Sequence, residues 1–268
     1  MEKIDLEWII SSENNLTDKA DSNFGNVYAL CKDLLMHIQC IKSISRDNEV
    51  SRYFGAQILK NFYLAVLCAI RRHTNHTFFS LRQVIESISL FVYSMSFQKI
   101  NDYNIIMENE QIIDYDIKIL RKSYDFIKTK YPIFSRDLEI YKNMINYYYS
   151  HPNIFSSQYN STIIDDKVKV LIFDSYYDDY IKKVLLTINE IIILSLKIYK
   201  KLEEDFKIYT LEENFELKLK ELEARHEIIK EEILNQIKLN ERANFDKIDD
   251  IINKCKEKYK DLLNDNYD

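Results

Sequence analysis

The scarcity of glycine and proline most constrains the fold of this 268-residue chain, because each occurs only twice. The tight turns of β-sandwiches and barrels, and the loops that cradle phosphates in nucleotide-binding motifs, depend on glycine. Hydrophobic residues still make up 46% of the chain, which is enough for a packed core. Apolar residues also recur every three or four positions over long segments. We therefore expect an all-α protein.

The apolar spacing predicts a helical bundle within residues 1–209. Its main helices are expected at about residues 23–45, 47–72, 78–97, 114–130, 135–150 and 175–209. Asp21 or Ser22 is the expected N-cap of the first of these, and Ser135 that of the fifth. The polar segment 73–77 joins two long apolar helices, which should therefore pack antiparallel.

One short segment changes from helical to strand-like spacing. The β-branched runs 161–164 and 167–173 flank Asp165 and Asp166, a polar pair of the kind that closes a tight turn. Such runs favour extended strands over helix. We therefore expect a small β-hairpin on an otherwise helical body.

From residue 210 onward the chain is much more charged. Residues 211–268 hold 11 Lys or Arg and 16 Asp or Glu, and Thr210 to Glu213 has the spacing of a helix-capping box. The apolar residues thin to one stripe, whose expected partner-binding members are Phe215, Leu219, Leu222, Ile229, Ile233 and Ile237. We predict a coiled-coil-like arm over residues 210–268 that pairs with a second copy or another protein. The alternatives are a hairpin broken near residues 240–244, or packing against the same subunit.

Charge and cysteine content narrow the class of protein. The formal net charge of −6 argues against a surface covered in nucleic-acid-binding charge, although a local basic patch is compatible with it. The four cysteines form no C-x-x-C pair, so we expect neither disulfides nor a metal site, and no motif indicates a cofactor. The chain has neither a signal-peptide pattern nor an uninterrupted apolar run of about 18 residues, so we expect a cytoplasmic protein without a membrane span. Its abundant Ile, Lys, Asn and Tyr indicate an AT-rich genome, either bacterial or carried on a bacterial mobile element.

One candidate catalytic pair lies at the polar segment 73–77. Arg71 and His76 have R-x-x-x-x-H spacing, which resembles the signature of HEPN ribonucleases, helical proteins common in bacterial defence systems. In that family an arginine and a histidine from two subunits meet in a cleft and cleave RNA without a metal. The resemblance implies that His76 assists proton transfer and that Arg71 stabilises phosphate charge. Here the pair spans an interhelix turn, which departs from the family, and capping of that turn is the alternative role.

A second candidate set lies on the helix expected at residues 78–97. Arg82 and Glu86 are four residues apart, so they share a face and can pair. Charges in a central helix are costly unless compensated, so the pair marks either a buried structural network or a cleft. His151, at an expected helix end, can supply a titratable partner. The order of these features resembles uncharacterised all-helical bacterial proteins related to the HEPN group, which implies a fold and no established activity.

Three functions remain open from the sequence, and whether the protein is an enzyme is undecided. The favoured one is an assembly-dependent component of a bacterial defence or toxin–antitoxin-like system, acting by oligomerisation or partner binding, with HEPN-like RNA cleavage as a hypothesis. A non-enzymatic coiled-coil scaffold is the second, because no strong catalytic motif occurs. A small-ligand sensor built on Arg82, Glu86 and His151 is the third.

Overall fold

A computed structural model gives the fold of the protein. It describes residues 5–45, 48–98, 103, 106–108, 111–114, 118–148, 161–164, 167–174 and 177–239. Within these ranges it contains eight helices: α1 (Leu6–Asp18), α2 (Ala20–His37), α3 (Glu49–Ile70), α4 (Thr74–Ser96), α5 (Lys118–Lys130), α6 (Pro132–Tyr148), α7 (Asp178–Phe206) and α8 (Phe215–Leu239). The predicted all-α helical bundle is confirmed.

Helix α7 occupies the centre of the bundle. It contacts α2, α3, α4, α6 and α8, and its residues Ile188, Ile191 and Ile192 have no exposed surface. Helices α3 and α4 pack along each other as the expected antiparallel pair. Most positions from Val184 to Tyr199 in the middle of α7 are buried. A helix segment buried on most sides needs neighbours around it, so α7 organises the packing of the others.

Six short strands form three antiparallel pairs in the described residues. They are β1 (Ile41–Ile44), β2 (Ile106–Glu108), β3 (Gln111–Asp114), β4 (Ser161–Ile164), β5 (Lys167–Val170) and β6 (Tyr209–Leu211). The predicted hairpin is β4–β5, in which Ile163 is opposite Val168. The hairpin β2–β3 and the pair β1–β6 were not predicted.

The first long helix is shorter than the sequence predicts. Helix α2 ends at His37, and residues 41–44 form β1, which pairs with β6. This pairing joins segments more than 160 residues apart, so local periodicity carries no sign of it. The predicted caps are also wrong: α2 begins at Ala20 without a side-chain cap, and α6 begins at Pro132, a residue suited to the first helical position, before Ser135.

The turn between α3 and α4 is tighter than predicted. Helix α4 begins at Thr74, and Arg72 adopts a left-handed conformation with φ of 61°. The Asp174 carboxylate accepts a hydrogen bond from the Thr74 N–H at 2.6 Å, and the Asp174 N–H donates to the Arg72 carbonyl at 2.9 Å. A residue 100 positions away therefore caps the helix and allows it to start four residues earlier than expected.

The charged C-terminal region folds back on the bundle as far as it is described. Helix α8 packs against α2 and α7. The stripe residues Phe215, Leu219, Leu222, Ile229 and Ile233 are buried in the same core as the bundle. These residues were expected to be open to a partner, and the structure corrects this expectation. They pack on the same subunit, which was the alternative prediction.

Two other expectations concern the ends of this region. Thr210 lies in β6, and the helix begins at Phe215, so the capping-box interpretation of residues 210–213 is wrong. The side chain of Ile237 and residues 240–268 lie outside the described residues, and the predicted break at 240–244 stays a prediction.

Helix α3 is the described helix whose length and composition would also suit a membrane span, with a mean hydropathy of 1.3 over 18 residues. Core helices of bundles share this composition. Its packing along α4 accounts for the apolar residues on its inner face.

Replacement of Leu222 by alanine tests whether α8 is docked on its own bundle. Leu222 is fully buried, so the cavity left by L222A should lower the free energy of unfolding by about 2–5 kcal/mol. Leu217 on the same helix is 73% exposed, so L217A should change it by less than about 0.5 kcal/mol. Urea unfolding followed by circular dichroism measures both, and equal small effects would contradict intramolecular docking.

Candidate functional site

The candidate residues of the sequence concentrate at and along α4. Arg71 is the C-cap of α3, and His76 lies in the first turn of α4. Arg82 and Glu86 lie one and two turns beyond Phe79. Because successive members of the series His76, Phe79, Arg82 and Glu86 are three or four residues apart, all four share one face of the helix.

The Arg71 guanidinium is held by side chains of α1. Its Nη1 lies 3.5 Å from a carboxylate oxygen of Glu13, and its Nε donates to the Thr17 hydroxyl at 3.2 Å. The same Glu13 carboxylate lies 2.9 Å from Nε2 of His73. In this arrangement Arg71 is paired with a carboxylate, while His76 is exposed at the surface.

Two histidines meet at this turn. The ring centroids of His73 and His76 are 6.4 Å apart, and Phe173 packs at 5.5 Å from His73. The buried Asp174 carboxyl lies near both rings. Burial raises its pKa, and the hydrogen bond from the Thr74 N–H and the neighbouring His73 and His76 oppose this rise. The sequence pointed to His76 but missed His73 and Asp174, since neither belongs to the R-x-x-x-x-H spacing.

The predicted pairing of Arg82 with Glu86 is present. Nε of Arg82 donates to Oε1 of Glu86 at 3.1 Å, and both side chains are partly buried, with 32% and 17% of their surface exposed. An ion pair in this setting loses solvation and gains Coulomb energy in comparable amounts. Pairing therefore makes the charges tolerable on α4 without by itself explaining why they are there.

Two further residues from α5 and α6 complete this cluster. The Lys142 ammonium lies 3.6 Å from the ring centroid of Tyr124. The charges of Arg82 and Glu86 contribute to the pKa shifts of both side chains. Burial lowers the pKa of Lys142, Glu86 opposes this and Arg82 adds to it. The buried Tyr124 hydroxyl has no hydrogen-bond partner among the described residues. We call Arg82, Glu86, Tyr124 and Lys142 the α4 cluster.

The charge of the α4 cluster favours an anionic ligand. Its partly buried members are two cations and one carboxylate, while the nearby Glu139 is exposed. Within the described residues, no carboxylate lies at ion-pair distance from Lys142. A phosphate or carboxylate next to Lys142 would replace the solvation that the ammonium has lost.

The predicted third member of this site lies outside the described residues. Helix α6 runs antiparallel to α4, because Phe134 and Leu138 line one crevice with Val92 while Lys142 lies near Arg82. Beyond Lys142 it therefore leads toward the His76 end of α4. His151 follows its last residue by three positions and is not described.

A second buried network joins α6, α7 and α8. The Glu190 carboxylate accepts hydrogen bonds from the Tyr141 hydroxyl at 2.9 Å and from Lys230, and Nε2 of His226 lies 3.8 Å from it. Burial opposes ionisation of Glu190, but His226 and Lys230 outweigh it and lower the pKa to about 2. The sequence placed His226 on the stripe of the arm and gave no sign of this network.

The chain matches no protein-family model, no curated protein and no solved structure with which it was compared. The HEPN-like resemblance therefore stays a prediction. Within the described ranges, no three His, Cys, Asp or Glu side chains are grouped as a metal site requires.

Removal of the Tyr124 hydroxyl tests whether this buried group lacks a hydrogen-bond partner in the folded protein. A buried hydroxyl without a partner costs about 1–3 kcal/mol. The free energy of unfolding of Y124F should therefore equal that of the parent or exceed it by about 1 kcal/mol. Tyr131 is a matched control, because its hydroxyl donates to Asp205 at 2.7 Å and Y131F should lose about 1–2 kcal/mol. Equal losses in urea unfolding would contradict the description of Tyr124.

Glu190 should make stability depend on pH in the acid range. Its folded pKa lies below the ordinary 4.5, so its contribution is present above pH 4.5 and disappears as the pH falls toward 2. E190Q should lower the free energy of unfolding on the order of 3 kcal/mol at pH 7 and much less at pH 2.5. E223Q, which removes the ion pair with Lys197, should cost under about 1 kcal/mol. A pH-independent effect of E190Q in urea unfolding would contradict this account.

Proposed function

We propose that the protein is a component of a bacterial defence or toxin–antitoxin-like system that binds RNA along the outer face of α4. The observation that carries the proposal is the placement of His76, Phe79, Arg82 and Glu86 on one helical face, with Lys142 against the last two. The system class and the choice of RNA come from the HEPN-like resemblance. The choice of surface comes from the chemistry of these residues.

Single-stranded nucleic acids are bound by cations that face phosphates and by aromatic rings that stack on bases. Arg82 and Lys142 supply the cations. Phe79 is 61% exposed between them and His76, and Tyr147 is 74% exposed five residues beyond Lys142 on α6. This supports a strand lying between α4 and α6.

Cleavage of the bound RNA would use the histidines at the start of α4. Two imidazoles whose centroids lie 6.4 Å apart can serve as base and acid on one phosphodiester, and Glu13 already fixes one nitrogen of His73. Arg71 and Arg72 would stabilise the phosphate charge once the substrate displaces Glu13 and Asp178 from them. His76, the exposed member, is the proposed proton-transfer residue.

A non-enzymatic adaptor is the second candidate function. The observation that favours it is the pairing of Arg71 with Glu13, since a paired guanidinium stabilises a turn without any substrate. A small-ligand sensor at Arg82, Glu86 and His151 would use the same α4 cluster with a smaller anion.

RNA binding tests the surface directly. We expect R82Q, K142Q and F79A each to weaken binding of a fluorescein-labelled 12-nucleotide RNA at least tenfold in fluorescence anisotropy, because each removes a phosphate or stacking contact. K60Q is the matched control, because Lys60 is exposed on α3 and its loss removes one positive charge elsewhere. Equal weakening by K60Q, or unchanged binding by all three variants, would contradict the proposal.

Cleavage is measured with the same RNA in the presence of EDTA. H76A should cut at least 100-fold more slowly than the parent while binding equally well. A parent that binds without cutting would identify the adaptor, and equal cutting by H76A would remove the catalytic role of His76. Competition by inorganic phosphate or a mononucleotide at equal affinity would instead identify the sensor.

A further inference from the structure

Helix α8 is held to the bundle by one apolar stripe and a border of ion pairs. Arg225 pairs with Asp33 of α2 at 2.8 Å, Lys197 of α7 pairs with Glu223 at 2.6 Å, and Lys200 of α7 pairs with Glu216 at 2.9 Å. These side chains are substantially exposed, so each pair contributes little. Burial of the apolar stripe therefore contributes most of the docking free energy of α8, and a charge buried beneath the stripe would oppose it.

A histidine lies beneath the first turn of α8. The ring of His37, at the end of α2, is 6% exposed and stacks on Phe215 with centroids 5.0 Å apart and an interplanar angle of 22°. Its Nε2 has no hydrogen-bond partner among the described residues. The groups that face it are Glu212, Lys218 and the backbone of Phe215.

A protonated His37 does not fit this position. The imidazolium would bury a second N–H donor at Nε2, for which the described residues offer no acceptor, and Lys218 would repel it. Burial is also the main reason why the pKa of His37 is lowered, against the opposing effects of Phe215 and Glu212. Solvation of the charged ring requires Phe215 to leave, because that ring covers it.

The other half of α8 responds differently to acid. There Lys230 and His226 of α8 face the Glu190 carboxylate of α7, which also accepts from Tyr141 of α6. These groups hold the pKa of Glu190 at about 2, so the carboxylate stays ionised in mild acid and keeps its contacts with Lys230 and Tyr141. Mild acid therefore leaves the Glu190 end of α8 attached.

We propose that α8 is a pH-controlled clasp whose Phe215 end detaches on mild acidification while its Glu190 end stays docked. Opening uncovers Phe215 and Leu219, the first two residues of the apolar stripe. The device is independent of RNA binding, since neither His37 nor α8 belongs to the α4 cluster.

The direction of the pH effect follows from linkage. The open form binds a proton at His37 near the ordinary pKa of 6.5, and the closed form binds it only at lower pH. Opening is therefore pH-independent above 6.5 and becomes more favourable below it, by up to about tenfold per pH unit for one proton. The Glu190 end should be released only below pH 4.5, where the open form would protonate that carboxyl.

Hydrogen exchange of the full chain, read by mass spectrometry and corrected for the intrinsic pH dependence of exchange, tests the proposal. Between pH 7.5 and 5.5 the opening constant of residues 215–222 should rise at least threefold, whereas that of residues 226–233 should stay within twofold. H37F, which keeps the stacked ring and cannot be protonated, should abolish the rise, and H76F, at an exposed histidine, should preserve it. An equal change of the opening constant in both segments of the parent, or a rise of the opening constant of residues 215–222 that persists in H37F, would overturn the proposal. The parent comparison alone decides the matter if H37F does not fold.

Discussion

Burial of α7 on nearly all sides is the constraint on which the rest of the structure depends. A helix segment that is buried on nearly all sides must have neighbouring elements around it. Helices α2, α3, α4, α6 and α8 are those neighbours. The inner face of α4 packs against α3 and α7, so its charged residues lie on the side shared with α5 and α6. This packing determines the position of Arg82 and Glu86.

The same packing explains why charge is concentrated at two places inside the bundle. Arg82, Glu86 and Lys142 meet where α4, α5 and α6 leave room for polar groups, and Glu190 meets Tyr141 and Lys230 where α8 closes over α7. At the first place, the Tyr124 hydroxyl has no hydrogen-bond partner within the described part of the chain, and Lys142 lies over the Tyr124 ring. The second is complete around its carboxylate. Incomplete polar sites are the ones that gain from a ligand, which is why the function is proposed at the first.

Local patterns predicted most of the helices and the β4–β5 hairpin, because periodicity and turn chemistry act over a few residues. They could not predict the pair β1–β6 or the capping of Thr74 by Asp174, since both join distant segments. The stripe on α8 showed that an apolar face must be covered, but not by which surface. Arg82 and Glu86 were visible through their spacing, whereas Tyr124 and Lys142 come from separate helices and carry no spacing signal.

The most direct measurement of the central claim is ultraviolet crosslinking of the full chain to a single-stranded RNA, with the crosslinked peptides identified by mass spectrometry. If RNA lies between α4 and α6, the crosslinks should map to residues 74–96 and 132–148, at Phe79 and Tyr147 above all, and should be lost in R82Q. Crosslinks confined to α3 or α8, or an equal yield from R82Q, would contradict the account.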